Sequence, residues 1–391
     1  MACLCQYRKL LLKARHDYFE RSSAYFDYNA ATPVDIRVIG EMEKVERTLW
    51  QNPSSLHTPG TKVWEFIENA KNRLGKVFCV DADGFSFCGS ATEALSLLIN
   101  TVVNENSLLF CTTGIEHSGI YKKARVYKMA GKNVRFIPLT KNGYADLEEL
   151  KKNCASGNVF FLYSPVNHET GAVQPVKDIF NIVNDSGGIV AIDAAQCAYR
   201  MKELDWSKYC SAFVFCGHKI YGPKGVASLW TDPKSEGLAI KRVRRKLPEG
   251  TPNTPGVAGL ALAAELTKKS KNDELLRINI LMKEGLEILK AGPPFEINSP
   301  INAAPGVCNI SLPWVNDMGK LMLELDRKQI VISRYAACSR DIQTPSRILL
   351  AMGKGFKNSL TSLRICLGRD SRRSDFFLLK DKLISLHNEG I

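Results

Sequence analysis

Phe213-Val-Phe-Cys-Gly-His-Lys-Ile-Tyr-Gly-Pro-Lys-Gly-Val-Ala-Ser-Leu-Trp230 reads as an apolar strand, a Gly-His-Lys turn, a Gly-Pro-Lys-Gly turn and a second apolar strand. Lys219 is framed by segments that must be buried. Desolvation disfavours an ammonium, lowers its pKa and turns the amine into a nucleophile. The plain alternative is a surface lysine in a Gly-rich loop, because short Gly-Lys patterns are weak evidence by themselves. The rest of the chain decides between them.

Moving outward, apolar strands alternate with amphipathic helices. The patterns predict strands at 84–88, 108–112, 134–139, 159–163, 189–193, 212–216 and 226–230. Helices are predicted at 36–50, 62–77, 94–103, 119–130, 145–153 and 176–184. Continuous apolar strands between helices imply an α/β fold with a mostly parallel central sheet covered on both faces. In such sheets the ligand site lies at the carboxyl ends of the strands. His117, Asp193 and Lys219 each stand at or just beyond such an end. Ser90 and Glu93 have capping-box spacing, and a helix start with small residues offers free N–H groups to a phosphate.

Gly250-Thr-Pro-Asn-Thr-Pro-Gly256 is a Pro/Gly-rich hinge. Beyond it the pattern predicts helices at 257–268 and 273–290, strands at 307–312 and 330–333, then helices at 345–352 and 374–387. The chain therefore divides into a basic N-terminal extension (1–24), a large domain (25–255) and a smaller α+β C-terminal domain (256–391). Formal net charge is +13, with basic clusters at 241–246 and 369–373. The plain reading is a solvated face; the sharper one is docking of an acidic partner. No aromatic interleaving or nucleic-acid motif accompanies them, so no nucleic-acid partner is expected. No apolar run is long enough to span a bilayer. The twelve cysteines include no C-x-x-C pair, which argues against a disulfide framework or structural metal and for a reducing compartment. A cytoplasmic location is expected. Import into an organelle through Arg8, Lys9, Lys13 and Arg15 is the alternative, weakened by Asp17 and Glu20.

A pyridoxal phosphate (PLP) enzyme needs a Schiff-base lysine, a carboxylate against the pyridinium nitrogen, a phosphate cradle, a flat group on the ring and an anchor for the substrate carboxylate. Lys219 suits the first role and Asp193, closing Ile189-Val-Ala-Ile-Asp, the second. Gln196 suits the ring hydroxyl, and His117 a stacking role. Thr92, the N–H groups near Ala91, and His218 suit the phosphate. Taken singly, each has an ordinary capping or turn role as its alternative. Arg364, on an apolar strand, either bridges two elements or holds a ligand carboxylate. Cys338, in Arg334-Tyr-Ala-Ala-Cys-Ser-Arg340, has nearby positive charge that favours its thiolate; an inert loop cysteine is the alternative.

The order of these motifs resembles the cysteine desulfurases, within the class V aminotransferases of the PLP-dependent fold type I enzymes. The resemblance covers residues 25–388. It rests on Asp27-Tyr-Asn-Ala-Ala-Thr-Pro33, Asn52-Pro-Ser-Ser-Leu-His57, Ser90-Ala-Thr-Glu93, Glu116-His117, Asp193-Ala-Ala-Gln196, Gly217 to Gly225, Ala337-Cys338 followed by Pro345, and Ser362-Leu-Arg364. It implies a PLP-dependent transferase that removes sulfur from L-cysteine, leaving L-alanine and a persulfide on Cys338. It implies a homodimer that passes sulfur to an iron–sulfur scaffold or another acceptor protein. Thr251 would then reach the partner's phosphate, and His168 and Cys216 would border the cofactor. His168 departs from the family's asparagine, Cys216 from its phosphate-binding serine, and 235–247 lacks the usual Gly-rich run. The other readings are a selenocysteine lyase or aminotransferase of the same class, or a catalytically silent scaffold.

Overall fold

The computed structural model describes residues 23–104, 108–155, 157–201, 204–235, 237–245, 250–335 and 343–391. Its strands are β1 (Ala24–Tyr25), β2 (Phe85–Cys88), β3 (Leu109–Thr113), β4 (Val134–Ile137), β5 (Val159–Tyr163), β6 (Ile189–Asp193), β7 (Ala212–Cys216), β8 (Ala227–Thr231), β9 (Glu296–Ile297), β10 (Val307–Ser311), β11 (Ile330–Val331) and β12 (Ser362–Cys366).

Seven strands form one sheet in the order β2-β8-β7-β6-β5-β3-β4. The pairs from β4 through β3, β5 and β6 to β7 are parallel, and β8 runs antiparallel to β7 and β2. Every residue of β5, β7 and β8 is buried, as expected for strands covered on both faces. Successive side chains point to opposite faces. Phe161, Tyr163, Phe213 and Phe215 therefore enter one core, while Phe160, Leu162, Ala212 and Val214 enter the other. Helices Ala91–Val103 and Ser118–Met129 cover the second face through Leu95, Leu98, Ile99, Ile120 and Ala124.

A third core lies under β10 and β12, which pair antiparallel along their full length, with β9 at the edge. β1 and β11 form a small parallel pair beside it. Ala24 and Phe26 belong to this core, so this segment packs in the smaller lobe ahead of the larger one in sequence.

The two helices expected at 257–268 and 273–290 are one continuous helix, Thr254–Lys290. The polar run Lys268-Lys-Ser-Lys-Asn272 looked like a break. It contains neither Gly nor Pro, and Ser270 Oγ bonds both the Leu266 carbonyl (3.1 Å) and Glu274 Oε1 (2.6 Å) within the helix. The polar stretch marks where the helix leaves one core for the other. Val257, Leu260, Ala261 and Ala264 pack in the larger lobe; Leu275, Ile278, Met282 and Leu289 pack in the smaller. The boundary drawn at residue 255 thus falls inside a helix that both cores share.

Candidate active site

The turn after β7 is closed by Gly217, whose carbonyl accepts the N–H groups of Ile220 and Gly222, both at 2.9 Å. A Cβ on Gly217 would lie 2.5 Å from the Pro223 carbonyl oxygen, and one on Gly222 would lie 2.9 Å from Ala263 Cβ. Only glycine permits that closeness, which accounts for the Gly-His-Lys-Ile-Tyr-Gly spelling. The segment 27–32 clasps the same turn. Thr32 N donates to the His218 carbonyl (2.9 Å), and Tyr221 N donates to Thr32 Oγ1 (2.8 Å).

Inside the clasp, Lys219 Nζ donates to the carbonyls of Asn29 (2.6 Å) and Ala30 (2.8 Å). The side chain is half-buried rather than sealed, so it retains the access a reacting amine needs. Burial lowers its pKa; the charge of Arg364 adds to this, while Cys216, Asp27 and Asp193 oppose it. Asp193 ends the neighbouring strand, beside Val214 of β7. Its Oδ1 accepts the Ala195 N–H at 3.1 Å. Burial raises its pKa, and the fields of His117 and Lys219 pull it back. A buried carboxylate of this kind is stabilised by a cationic partner.

His117 caps helix Ser118–Met129, with Nδ1 accepting the Gly119 N–H at 3.2 Å. An accepting Nδ1 places a ring proton on Nε2. The His168 ring meets it edge-on at 5.6 Å. Burial, then the charges of His117, Arg364, Arg347 and Lys219, push the His168 pKa well down, so this imidazole is neutral. Gln196 Nε2 is committed to the Asn29 carbonyl (3.1 Å). Thr92 is exposed at the start of helix Ala91–Val103, beside Gly119. Ser90 Oγ accepts the Glu93 N–H at 3.1 Å, but Glu93 reaches back to the N–H of Gly89 (2.8 Å) rather than to that of Ser90.

Cys216 is buried, with Sγ 3.9 Å from His218 Nε2, and burial pushes its thiol pKa up to about 12. Burial and the nearby Lys219 and Lys224 bring His218 down to about 4. At neutral pH both groups are uncharged.

Arg364 bridges two elements, as one of its two readings requires, and this leaves the ligand-carboxylate reading open. Nη2 binds Asp27 Oδ1 at 2.6 Å and Nη1 binds the His168 carbonyl at 3.1 Å, while the buried Nε has no partner among the described residues. Removing one member of such a buried pair strands the other. Asp27→Ala is therefore expected to cost about 3 kcal/mol in urea unfolding. A change no larger than that of a surface substitution would show that Arg364 is neutralised elsewhere.

The turn after β7 and the strand ends of β3, β5 and β6 thus bring Lys219, Asp193, Gln196, His117, His168, Cys216, His218 and Arg364 together, with Ala91 and Thr92 adjoining. Thr251 stands apart and exposed, its hydroxyl 3.4 Å from Asn52 Nδ2. Cys338 lies outside the described residues. The sequence reading missed Asn29. Its side chain donates to the His168 carbonyl (3.0 Å) and accepts from Arg200 Nε (2.7 Å), while its own carbonyl receives Lys219 and Gln196. It also missed Glu116 and Glu169, buried carboxyls that desolvation raises to about 7. Glu116 accepts Thr113 Oγ1 (2.5 Å) and the Ser164 N–H (2.8 Å); Glu169 accepts Ser346 Oγ. Each stands directly beside a candidate histidine in sequence, Glu116 before His117 and Glu169 after His168.

The donor set fits PLP: a half-buried lysine, a buried strand-end carboxylate, an imidazole that caps a helix, and an exposed helix start of small residues. Known proteins agree. The Aminotransferase class-V family profile matches residues 24–376. The chain is 31% identical over 363 residues to the mitosomal cysteine desulfurase of Trachipleistophora hominis, covering 88% of this chain and 81% of that protein. It is 28% identical to cysteine desulfurase IscS 1 of Archaeoglobus fulgidus, covering 90% and 93%. A solved NifS-like protein superposes with a TM-score of 0.83 at 25% identity, covering 94% of this chain and all of the other. The chain belongs to the class V aminotransferase family, and within it to the cysteine desulfurases.

Proposed function

We propose that this chain is a PLP-dependent cysteine desulfurase that converts L-cysteine to L-alanine and leaves the sulfur as a persulfide on Cys338. One observation carries the reading: the Lys219 amine, its pKa lowered by burial, faces the carboxyl edge of the sheet beside the Asp193 carboxylate.

When bound, PLP supplies an electron sink for negative charge developing at the substrate Cα. Lys219 would hold it covalently, and its Nζ would take the proton from the substrate Cα. Asp193 would accept the ring N–H, whose positive charge would offset the burial that raises its pKa. His117 would stack on the ring, and Gln196 and the neutral His168 would border it. The N–H groups at Ala91 and Thr92, the Thr92 hydroxyl and His218 would hold the phosphate. A neutral thiol is a poor donor, so Cys216 would not replace a serine there. Thr251, on the surface, reaches the phosphate of the partner subunit in a homodimer. Arg364, keyed by Asp27, anchors the substrate carboxylate. The Cys338 thiolate attacks the substrate sulfur. The new S–S bond forms as the C–S bond breaks, and the carbon takes the electron pair and a proton to become the alanine methyl group.

The sulfur then passes to an acceptor of iron–sulfur or thio-cofactor assembly. No helix among the described residues is long and apolar enough to cross a membrane. The Trachipleistophora hominis relative is named as a mitosomal enzyme, which favours import as strongly as a cytoplasmic location.

Intact-mass analysis after L-cysteine treatment tests the reading. The wild-type chain is expected to gain one sulfur atom and Cys338→Ala none, with catalytic alanine release lost. Unchanged alanine release by Cys338→Ala would remove the thiol from the mechanism and favour a selenocysteine lyase or aminotransferase.

A further inference from the structure

Glu116 is a buried carboxyl group with no part in the chemistry above. Its side chain ties two strand ends together. Oε1 accepts the hydroxyl of Thr113, the last residue of β3, at 2.5 Å. Oε2 accepts the N–H of Ser164, the first residue past β5, at 2.8 Å. β5 and β6 pair in parallel with Tyr163 opposite Ile192, so the next residues, Ser164 and Asp193, stand side by side at the carboxyl edge of the sheet. The Ser164 hydroxyl is within hydrogen-bonding reach of both carboxyls and pulls the pKa of each down. One serine thus links Glu116 to the carboxylate that faces the cofactor.

Asp193 faces Glu116 from β6 and Tyr163 from β5, with His117 beside it in the chain and Arg347 opposite. Arg347 Nη2 binds the Glu116 backbone carbonyl, at 2.7 Å. Burial, with the charge of Asp193 added, raises the Glu116 carboxyl to about 7 against the hydrogen bonds of Thr113 and Ser164. Two coupled carboxyls in a buried setting do not both ionise freely, and the proton they share settles according to their neighbours. A cationic ring nitrogen at Asp193 keeps that residue charged, which leaves the proton to Glu116.

We propose that Glu116 is a positioning residue for Asp193: it fixes Ser164 against the strand-end carboxylate, and it carries the pair's shared proton so that Asp193 keeps its negative charge for the ring nitrogen of PLP. The proposal rests on the desulfurase reading above, because it needs PLP at Lys219. As the pH rises through the Glu116 titration, a second negative charge arrives behind Asp193 and strengthens its hold on the ring N–H.

The test is NMR of isotope-labelled ring nitrogen in PLP-loaded protein, with alanine formation from L-cysteine as the second readout. The parent signal is expected to move in one step centred near pH 7. In Glu116→Gln, whose amide oxygen still accepts the Ser164 N–H, the signal should stay still across that window. In Glu169→Gln, which removes the other buried carboxyl held at about 7, the step should remain. Ser164→Ala keeps the backbone N–H but loses the hydroxyl that pulls Glu116 down, so its step should move up by about half a pH unit. Alanine formation by parent and Glu116→Gln should converge below about pH 6, and the parent should be about threefold faster above about pH 8 at unchanged KM. A parent signal with no step, a step that survives in Glu116→Gln or vanishes in Glu169→Gln, or an unmoved step in Ser164→Ala would overturn this proposal alone. Should Glu116→Gln fail to fold, Ser164→Ala decides by itself. A folded parent that holds no PLP at Lys219 would overturn the desulfurase reading and this proposal with it.

Discussion

Lys219→Ala will lower alanine formation from L-cysteine by at least about 10³-fold, in line with the loss of a positioned proton acceptor that also holds the cofactor. The fold should persist. The amine's acceptors are two backbone carbonyls, one of which keeps Gln196 as a donor, and the half-buried position admits water to the other. Urea unfolding is therefore expected to move far less than activity. Lys219→Arg sharpens the point. It preserves the positive charge and the capacity to bond Asn29 and Ala30, yet a guanidinium stays protonated at any working pH. If charge and packing were the residue's contribution, Lys219→Arg would be active. The account requires it to be as inactive as Lys219→Ala.

Asp193→Asn will reduce kcat by about 10² to 10³-fold, the scale seen when one preorganised electrostatic partner is removed. The substitution is nearly isosteric. The asparagine oxygen still accepts the Ala195 N–H, so stability should stay within about 1 kcal/mol of the parent. What disappears is the negative charge at the strand end. In the parent, burial raises the Asp193 pKa, and a cationic ring nitrogen would bring it back down. PLP should accordingly bind more weakly to the variant. Parent-like turnover and cofactor affinity would show that Asp193 is merely a buried turn residue.

The large sheet was legible because most of its strand residues are apolar, with β-branched and aromatic side chains prominent in its centre. Strand limits shifted by at most two residues. The carboxylate at the end of Ile189-Val-Ala-Ile-Asp193 could be placed because strand direction in a parallel sheet fixes which end faces the ligand. The continuous helix Thr254–Lys290 was not legible. Its polar middle is explained by passage between two cores, which only tertiary structure reveals. Asn29 escaped for a different reason. Its importance lies largely in a backbone carbonyl that meets Lys219 across 190 residues of sequence, and a carbonyl has no residue signature. Arg364 was recognised as an unusual strand arginine, but its pairing with Asp27 spans 337 positions and has no local sequence signal.

The most direct measurement is borohydride reduction of the protein incubated with PLP, followed by peptide mass mapping. The account predicts a single reduced pyridoxyl adduct on the peptide containing Lys219, absent from Lys219→Arg. An adduct at a different lysine, or none on folded protein saturated with PLP, would contradict it.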